Sequence, residues 1–166
     1  MSRKAIATKV QSLQPPLIPS PELQLLNIFV GKWHIEGLSY GAGQSKENPY
    51  DSAVRWSSEE TYEWLAGGFF LVHHCDGQIG DAPINAMETI GYDAASQTYP
   101  SQFFDNYGGI HLGHWSVRDG VWSCTAPEYR TTYTFSNDCN ILAVHWEWFD
   151  GEDWLVWGDL KATKVE

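Results

Sequence analysis

The sequence predicts an all-β protein: an antiparallel meander of about eight to ten strands, closed into a barrel behind one short N-terminal helix. Three observations predict it. From Trp33 onward the apolar residues recur with a period of two, turn signals return at short intervals to the end of the chain, and no second helical stretch or internal repeat appears. A meander leaves two unpaired strand edges, and closure removes both.

The first twenty residues mix Ser, Gln, Lys and Pro without periodicity, and "QPPLIPSP" continues neither a helix nor a ladder. They are expected to form a mobile arm, which leaves 21–166 as one domain. Ser20 offers an N-cap, Pro21 suits the first helical position and Glu22 complements the positive helix end. Leu23, Leu26 and Val30 share a face at helical spacing, so a short helix is expected to end at Gly31.

Strand segments follow, rich in aromatic and β-branched residues: "GGFFLVHHC", "SQFFDNY", "IHLGHWSV", "YRTTYTFS", "ILAVHWEWF" and "WLVWGDLKATKV". Between them stand Asp76-Gly77, "NYGG", Asp119-Gly120, "SNDCN" and Asp150-Gly151, the residues of tight hairpin turns.

Gly31-Lys32-Trp33, a Gly-x-Trp where a helix runs into the first strand, resembles the lipocalin-like (calycin) barrels. That resemblance implies that Trp33 plugs the closed end of the barrel and packs against a basic side chain of the last strand, for which Lys161 is the nearest match. An indole under a cation gains about 0.5–1 kcal/mol or more. A longer resemblance runs through "PELQLLNIFVGKWHIEG", "EWLAGGFFLVHHCDG", "ETIGYDAASQTY" and "NYGGIHLGHWSV". These stretches look like a bacterial family of uncharacterised proteins, a domain of unknown function with a lipocalin-like barrel. It implies a fold and no chemistry.

The 166 residues carry a formal charge of −11, which argues against nucleic acid or an anionic membrane surface as partner, since both need clustered Lys and Arg. No apolar run is long enough for a membrane-spanning helix. Three cysteines without a CxxC pair, and an N-terminus without an apolar leader, fit a reduced, cytoplasmic protein.

A barrel of this size either fills its interior or holds one small molecule, so the inward-facing side chains are the candidate site. Outward Ser116 and Arg118 put His111, Gly113 and Trp115 inside; outward Arg130, Thr132 and Thr134 put Tyr129, Tyr133 and Phe135 inside. By the same alternation, outward Asp159 and Lys161 put Val156 and Leu160 inside. In "AVHWEWFD" either face can be the inner one. If His145 and Glu147 point inward, they lie about 7 Å apart on one strand face. They could then orient a ligand, act as acid and base, or supply two ligands to a metal, for which no third ligand stands at a recognisable spacing.

The leading expectation is a barrel that binds a small, largely apolar or aromatic ligand through His111, Trp115, Tyr129, Tyr133, His145 and Glu147, with no cofactor and no metal. The alternatives are a small cyclase, isomerase or hydrolase using His145 and Glu147, and a histidine-held haem as in the nitrobindin-like group, whose surrounding motif is absent here. A further alternative is an interaction module: nine tryptophans, several in "HWEWFDGEDWLVW", could leave an aromatic stripe outside for a homodimer to cover. "HHCD" sets His73 and Cys75 on one face and His74 and Asp76 on the other, and no compact site is expected there.

Overall fold

The structure is a computed structural model and describes residues 18–41 and 44–165. The expected arm therefore lies, apart from its last three residues, outside the described residues. A 3₁₀ helix, Pro21–Ile28, leads into ten strands. They are β1 (Gly31–Ser39), β2 (Val54–Trp64), β3 (Leu71–Ile79), β4 (Ala82–Ile90), β5 (Tyr99–Asp105), β6 (Ile110–Arg118), β7 (Val121–Thr125), β8 (Tyr129–Phe135), β9 (Ile141–Phe149) and β10 (Trp154–Lys164). Each strand pairs antiparallel with the next, and β10 returns to pair with β1, so the sheet closes into a barrel with no free edge.

The helix differs from its expectation in pitch, and the difference matters. A 3₁₀ helix has three residues per turn, so positions three apart eclipse. Leu23, Leu26 and Phe29 accordingly line one buried edge, and Phe29 replaces the expected Val30. Ser20 makes no side-chain cap to a backbone N–H; its hydroxyl donates to the Glu22 carboxylate instead.

Phe29 enters the barrel axis. Its ring packs against Tyr62, Trp115, Trp122, Tyr133 and Phe135 at centroid distances of 5.1 to 6.0 Å, mostly edge to face. Just below, Trp33 is 1% exposed and donates its indole N–H to the Phe29 carbonyl at 2.7 Å. Helix end and first strand are thereby tied across the bottom of the barrel.

The cation over Trp33 is Lys164, whose Nζ lies 5.2 Å from the ring centroid, and not Lys161. The reason is strand phase. Lys164 stands directly opposite Trp33 in the β1–β10 ladder, whereas Lys161 stands opposite Glu36 and follows the outer face, exposed to solvent.

A second correction concerns β10, where a bulge between Val156 and Gly158 shifts the register. Val156 falls opposite Glu147 on the outer face, and Trp157, the extra residue, turns inward onto Trp146 and Trp148. The tryptophan-rich last hairpin is therefore split: Trp146, Trp148 and Trp157 face the interior, while Trp154 lies outside beneath the Arg130 guanidinium at 4.5 Å.

Because Phe29 and Trp33 fill the closed end, replacing either with Ala should cost about 3–5 kcal/mol in urea unfolding. Lys164→Met should cost no more than about 1 kcal/mol, since it removes only a partly hydrated cation–π contact.

Candidate functional site

The closed end occupies one half of the interior, and inward side chains fall into two groups above it. The first is polar and buried. Glu60 on β2, His73 on β3 and Glu88 on β4 are 7%, 8% and 5% exposed. Alternation puts them there. On β2 the inner face reads Trp56, Ser58, Glu60, Tyr62, and on β4 it reads Ile84, Ala86, Glu88, Ile90, each carrying one carboxylate among buried neighbours.

His73 bridges the two acids. Its Nε2 lies 2.8 Å from Glu60 Oε2, and its Nδ1 faces Glu88 Oε2 at 3.5 Å, an ion-pair distance without the alignment of a hydrogen bond. The Tyr62 ring stacks on the imidazole at 4.2 Å. The remaining carboxylate oxygens are also held. Glu60 Oε1 accepts from Ser58 at 3.0 Å, and Ser58 accepts from the Trp56 indole at 3.0 Å. Glu88 Oε1 accepts from the Trp115 indole at 3.0 Å, and that indole also reaches Ser101 at 3.2 Å.

Burial works against a charged imidazole, but Glu60 and then Glu88 outweigh it and raise the His73 pKa to about 9. His73 is thus an imidazolium at neutral pH. Burial, and after it the Glu60 charge, pushes the Cys75 thiol up, and burial likewise pushes Cys124, Tyr129 and Tyr133 up. These groups stay protonated, and neither Cys75 nor Cys124 is a ready nucleophile.

The second group is aromatic and rings the open end. Ring contacts run from Phe103 to His111 at 6.0 Å, on to Tyr129 at 6.3 Å and Trp146 at 6.3 Å, and from Trp146 to Trp56 at 6.0 Å and Trp157 at 6.2 Å. Most of these rings are only partly buried. The indole N–H of Trp146 is buried and finds no acceptor in the protein. Tyr129 swings its hydroxyl over Gly113, where a Cβ would come within 2.9 Å of it and within 2.7 Å of Cys124 Sγ.

The two groups are continuous. Tyr62, His73, Glu88, Phe103 and His111 are successive cross-strand neighbours from β2 to β6, one row running from the closed half up to the mouth. Asp105 ends β5 at the rim. Its Oδ1 accepts from the backbone N–H groups of Tyr107 and Gly109, and its Oδ2 lies 3.5 Å from His111 Nε2.

Of the residues singled out in the sequence, Trp115, Tyr129 and Tyr133 point inside, and His111 reaches the mouth. His145 and Glu147 do not. Leu142, Val144 and Trp146 take the inner face of β9, which places the pair outside. There His145 pairs with Asp159 at 2.7 Å and Glu147 with Arg130 at 2.8 Å, two separate cross-strand contacts. The acid–base couple that an enzyme reading required is split between two neighbours. An outer depression of about 710 Å³ over β8, β9, β10, β1 and β2 holds His145, Asp159 and Lys161, with the Glu36–Arg55 pair beside them.

Glu60 and Glu88 were missed, and with them the site around His73. The signal was the phase of Trp56 and Tyr62, which marks Glu60 rather than Glu59 as the inner acid. His73 is unsuited to hold a haem iron, because both of its ring nitrogens are turned to carboxylates, Glu60 and Glu88. Among the described residues no group of three His, Cys, Asp or Glu side chains is disposed to hold a metal.

Folded His73 holds its proton to about pH 9, while the unfolded imidazole releases it near 6.5. The folded state therefore binds the extra proton between these values. Its contribution is complete below pH 6.5 and is lost as pH rises through 9. Urea stability should fall over that window by on the order of 3 kcal/mol from this group, and Glu60→Gln should flatten the fall. On the outer face, His145→Ala and Glu147→Ala should each change stability by less than about 1 kcal/mol, measured the same way.

No curated protein matches the chain. Residues 18–140, which run from the helix through β8 and include Glu60, His73 and Glu88, match the family described as protein of unknown function, DUF1579. The match covers more than half of the chain, and the chain belongs to the DUF1579 family.

Proposed function

We propose that the barrel binds one small, largely apolar or aromatic molecule at its open end, between the ring of Trp56, Trp146, Trp157, Tyr129, His111 and Phe103 and the polar row beneath. The observation that carries this reading is the Trp146 indole N–H, a buried donor with no acceptor in the protein and aromatic rings around it. Leaving such a donor unsatisfied costs about 1–3 kcal/mol, and a ligand oxygen in the mouth removes that cost. The lipocalin-like resemblance of the N-terminal stretch supports the same use of the interior.

The polar row beneath is an anchor rather than a reacting centre. Glu60, His73 and Glu88 hold one another and are closed from solvent, so they fix Trp56 and Trp115 through hydrogen bonds. Free, buried Cys75 and Cys124 are in keeping with a reducing, cytoplasmic setting.

The test uses 3-phenylpropan-1-ol, a phenyl ring with one oxygen acceptor. Titration calorimetry should show one site, and Trp146→Phe should weaken it by about tenfold, the equivalent of one hydrogen bond of about 1.4 kcal/mol. Absence of heat at millimolar probe, together with no shift in melting temperature, overturns the reading.

A further inference from the structure

The interior is unbalanced in charge. Inward-facing ionisable side chains include the carboxylates Glu60, Glu88 and Asp105 and the imidazoles His73 and His111. Even with both imidazoles counted as cations, acids outnumber bases. Among the described residues the lysines and arginines do not redress this away from the closed end. Arg55 and Lys161 are exposed on the outer face, Arg130 lies outside with Glu147, and Lys164 sits at the closed end over Trp33. Lys46, on the loop after β1, is drawn out to Glu152 at 2.6 Å and Asp153 at 3.0 Å.

The aromatic mouth points the same way. The face of an indole or phenol ring carries negative electrostatic potential, so Trp56, Trp146, Trp157 and Tyr129 attract a cation held among them. Two of these carboxylates keep an oxygen that makes no hydrogen bond, each 3.5 Å from an imidazole nitrogen: Glu88 Oε2 beside His73 Nδ1 and Asp105 Oδ2 beside His111 Nε2. Glu88 is 5% exposed in the closed row, whereas Asp105 ends β5 at the rim with Oδ1 spent on two backbone N–H groups. Its side chain is 15% exposed and so partly desolvated. The overall charge of −11 adds a long-range attraction for the same class of ligand.

We infer that the molecule bound in the mouth is an organic cation, a compact aromatic amine whose ammonium is paired with Asp105 Oδ2 and whose oxygen acceptor meets the Trp146 indole N–H. This inference rests on the ligand-binding reading above and deepens it. An anionic ligand is disfavoured twice, by the carboxylates and by the ring faces; a neutral one uses the rings and the Trp146 N–H but leaves Asp105 unused.

Three probes that share a phenyl ring and a hydroxyl separate these cases: phenylalaninol, an ammonium at pH 7; 3-phenylpropan-1-ol, neutral; and 3-phenyllactate, a carboxylate. Titration calorimetry at low salt should rank them in that order, with the amine at least tenfold tighter than the alcohol. Asp105→Asn keeps an oxygen for the Tyr107 and Gly109 N–H groups and removes the charge. It should bring the amine down to the affinity of the alcohol while leaving the alcohol's own binding unchanged, which also shows that the variant is folded. If alcohol and amine bind equally, if the carboxylate binds best, or if Asp105→Asn keeps the preference, the cation inference is overturned and the ligand-binding reading stands. If none of the three binds, both are overturned.

Discussion

The hydrogen bond from the Trp33 indole to the Phe29 carbonyl decides which end of the barrel is closed. It locks the last turn of the 3₁₀ helix under the first strand, and that lock is what keeps the Phe29 ring in the axis among five aromatic neighbours. A phenylalanine in a barrel axis removes the space a ligand would need on that side. Everything polar and unusual in the interior then lies beside or above it, and the opposite end is left with rings that have no such plug.

Above the plug the interior accepts a cost that an apolar core would avoid. Two carboxylates and an imidazolium out of water are each expensive, and they persist only because every one is contacted by another. Ser58 and the Trp115 indole donate to the acids, while Trp56 donates to Ser58 and Ser101 accepts from Trp115. The result is a stiff polar row whose members fix the rotamers of two tryptophans, one of them at the mouth. Such a network specifies a geometry more than it adds stability. Cys75, adjacent in sequence to two histidines, is inert because burial, and after it the Glu60 charge, disfavours a thiolate there.

Much of the fold was legible because alternation is a strong signal when large side chains mark one face. Gly113 and Trp115 on β6, and Tyr133 and Phe135 on β8, could be placed inside without the structure. Signals weakened where both faces are large, as in "AVHWEWF", or where acids stand side by side, as at Glu59 and Glu60. The phase of Trp56 and Tyr62 separates the inner from the outer glutamate on β2, but the partner that makes the inner one tolerable, His73, sits on the next strand. The 3₁₀ pitch was hidden for a similar reason, since Leu23, Leu26 and Val30 fit an α-helix as well as Leu23, Leu26 and Phe29 fit the tighter one. Val156 was misplaced because a bulge breaks the period that was used to place it.

That bulge gives β10 an unusual freedom. Val156 and Gly158 face Glu147 and Trp146 in an otherwise continuous ladder, so Trp157 is a supernumerary residue that the pairing does not need. Its carbonyl accepts from the Tyr40 N–H, and its ring lies against Gly41, where no Cβ would fit, so it also seats the loop that follows β1. Loss of a single codon there would leave the strand alternation intact on both sides while taking one wall off the mouth and unseating that loop. An in-frame deletion at this position therefore reshapes that end of the barrel in one step, without touching the register of either neighbouring strand.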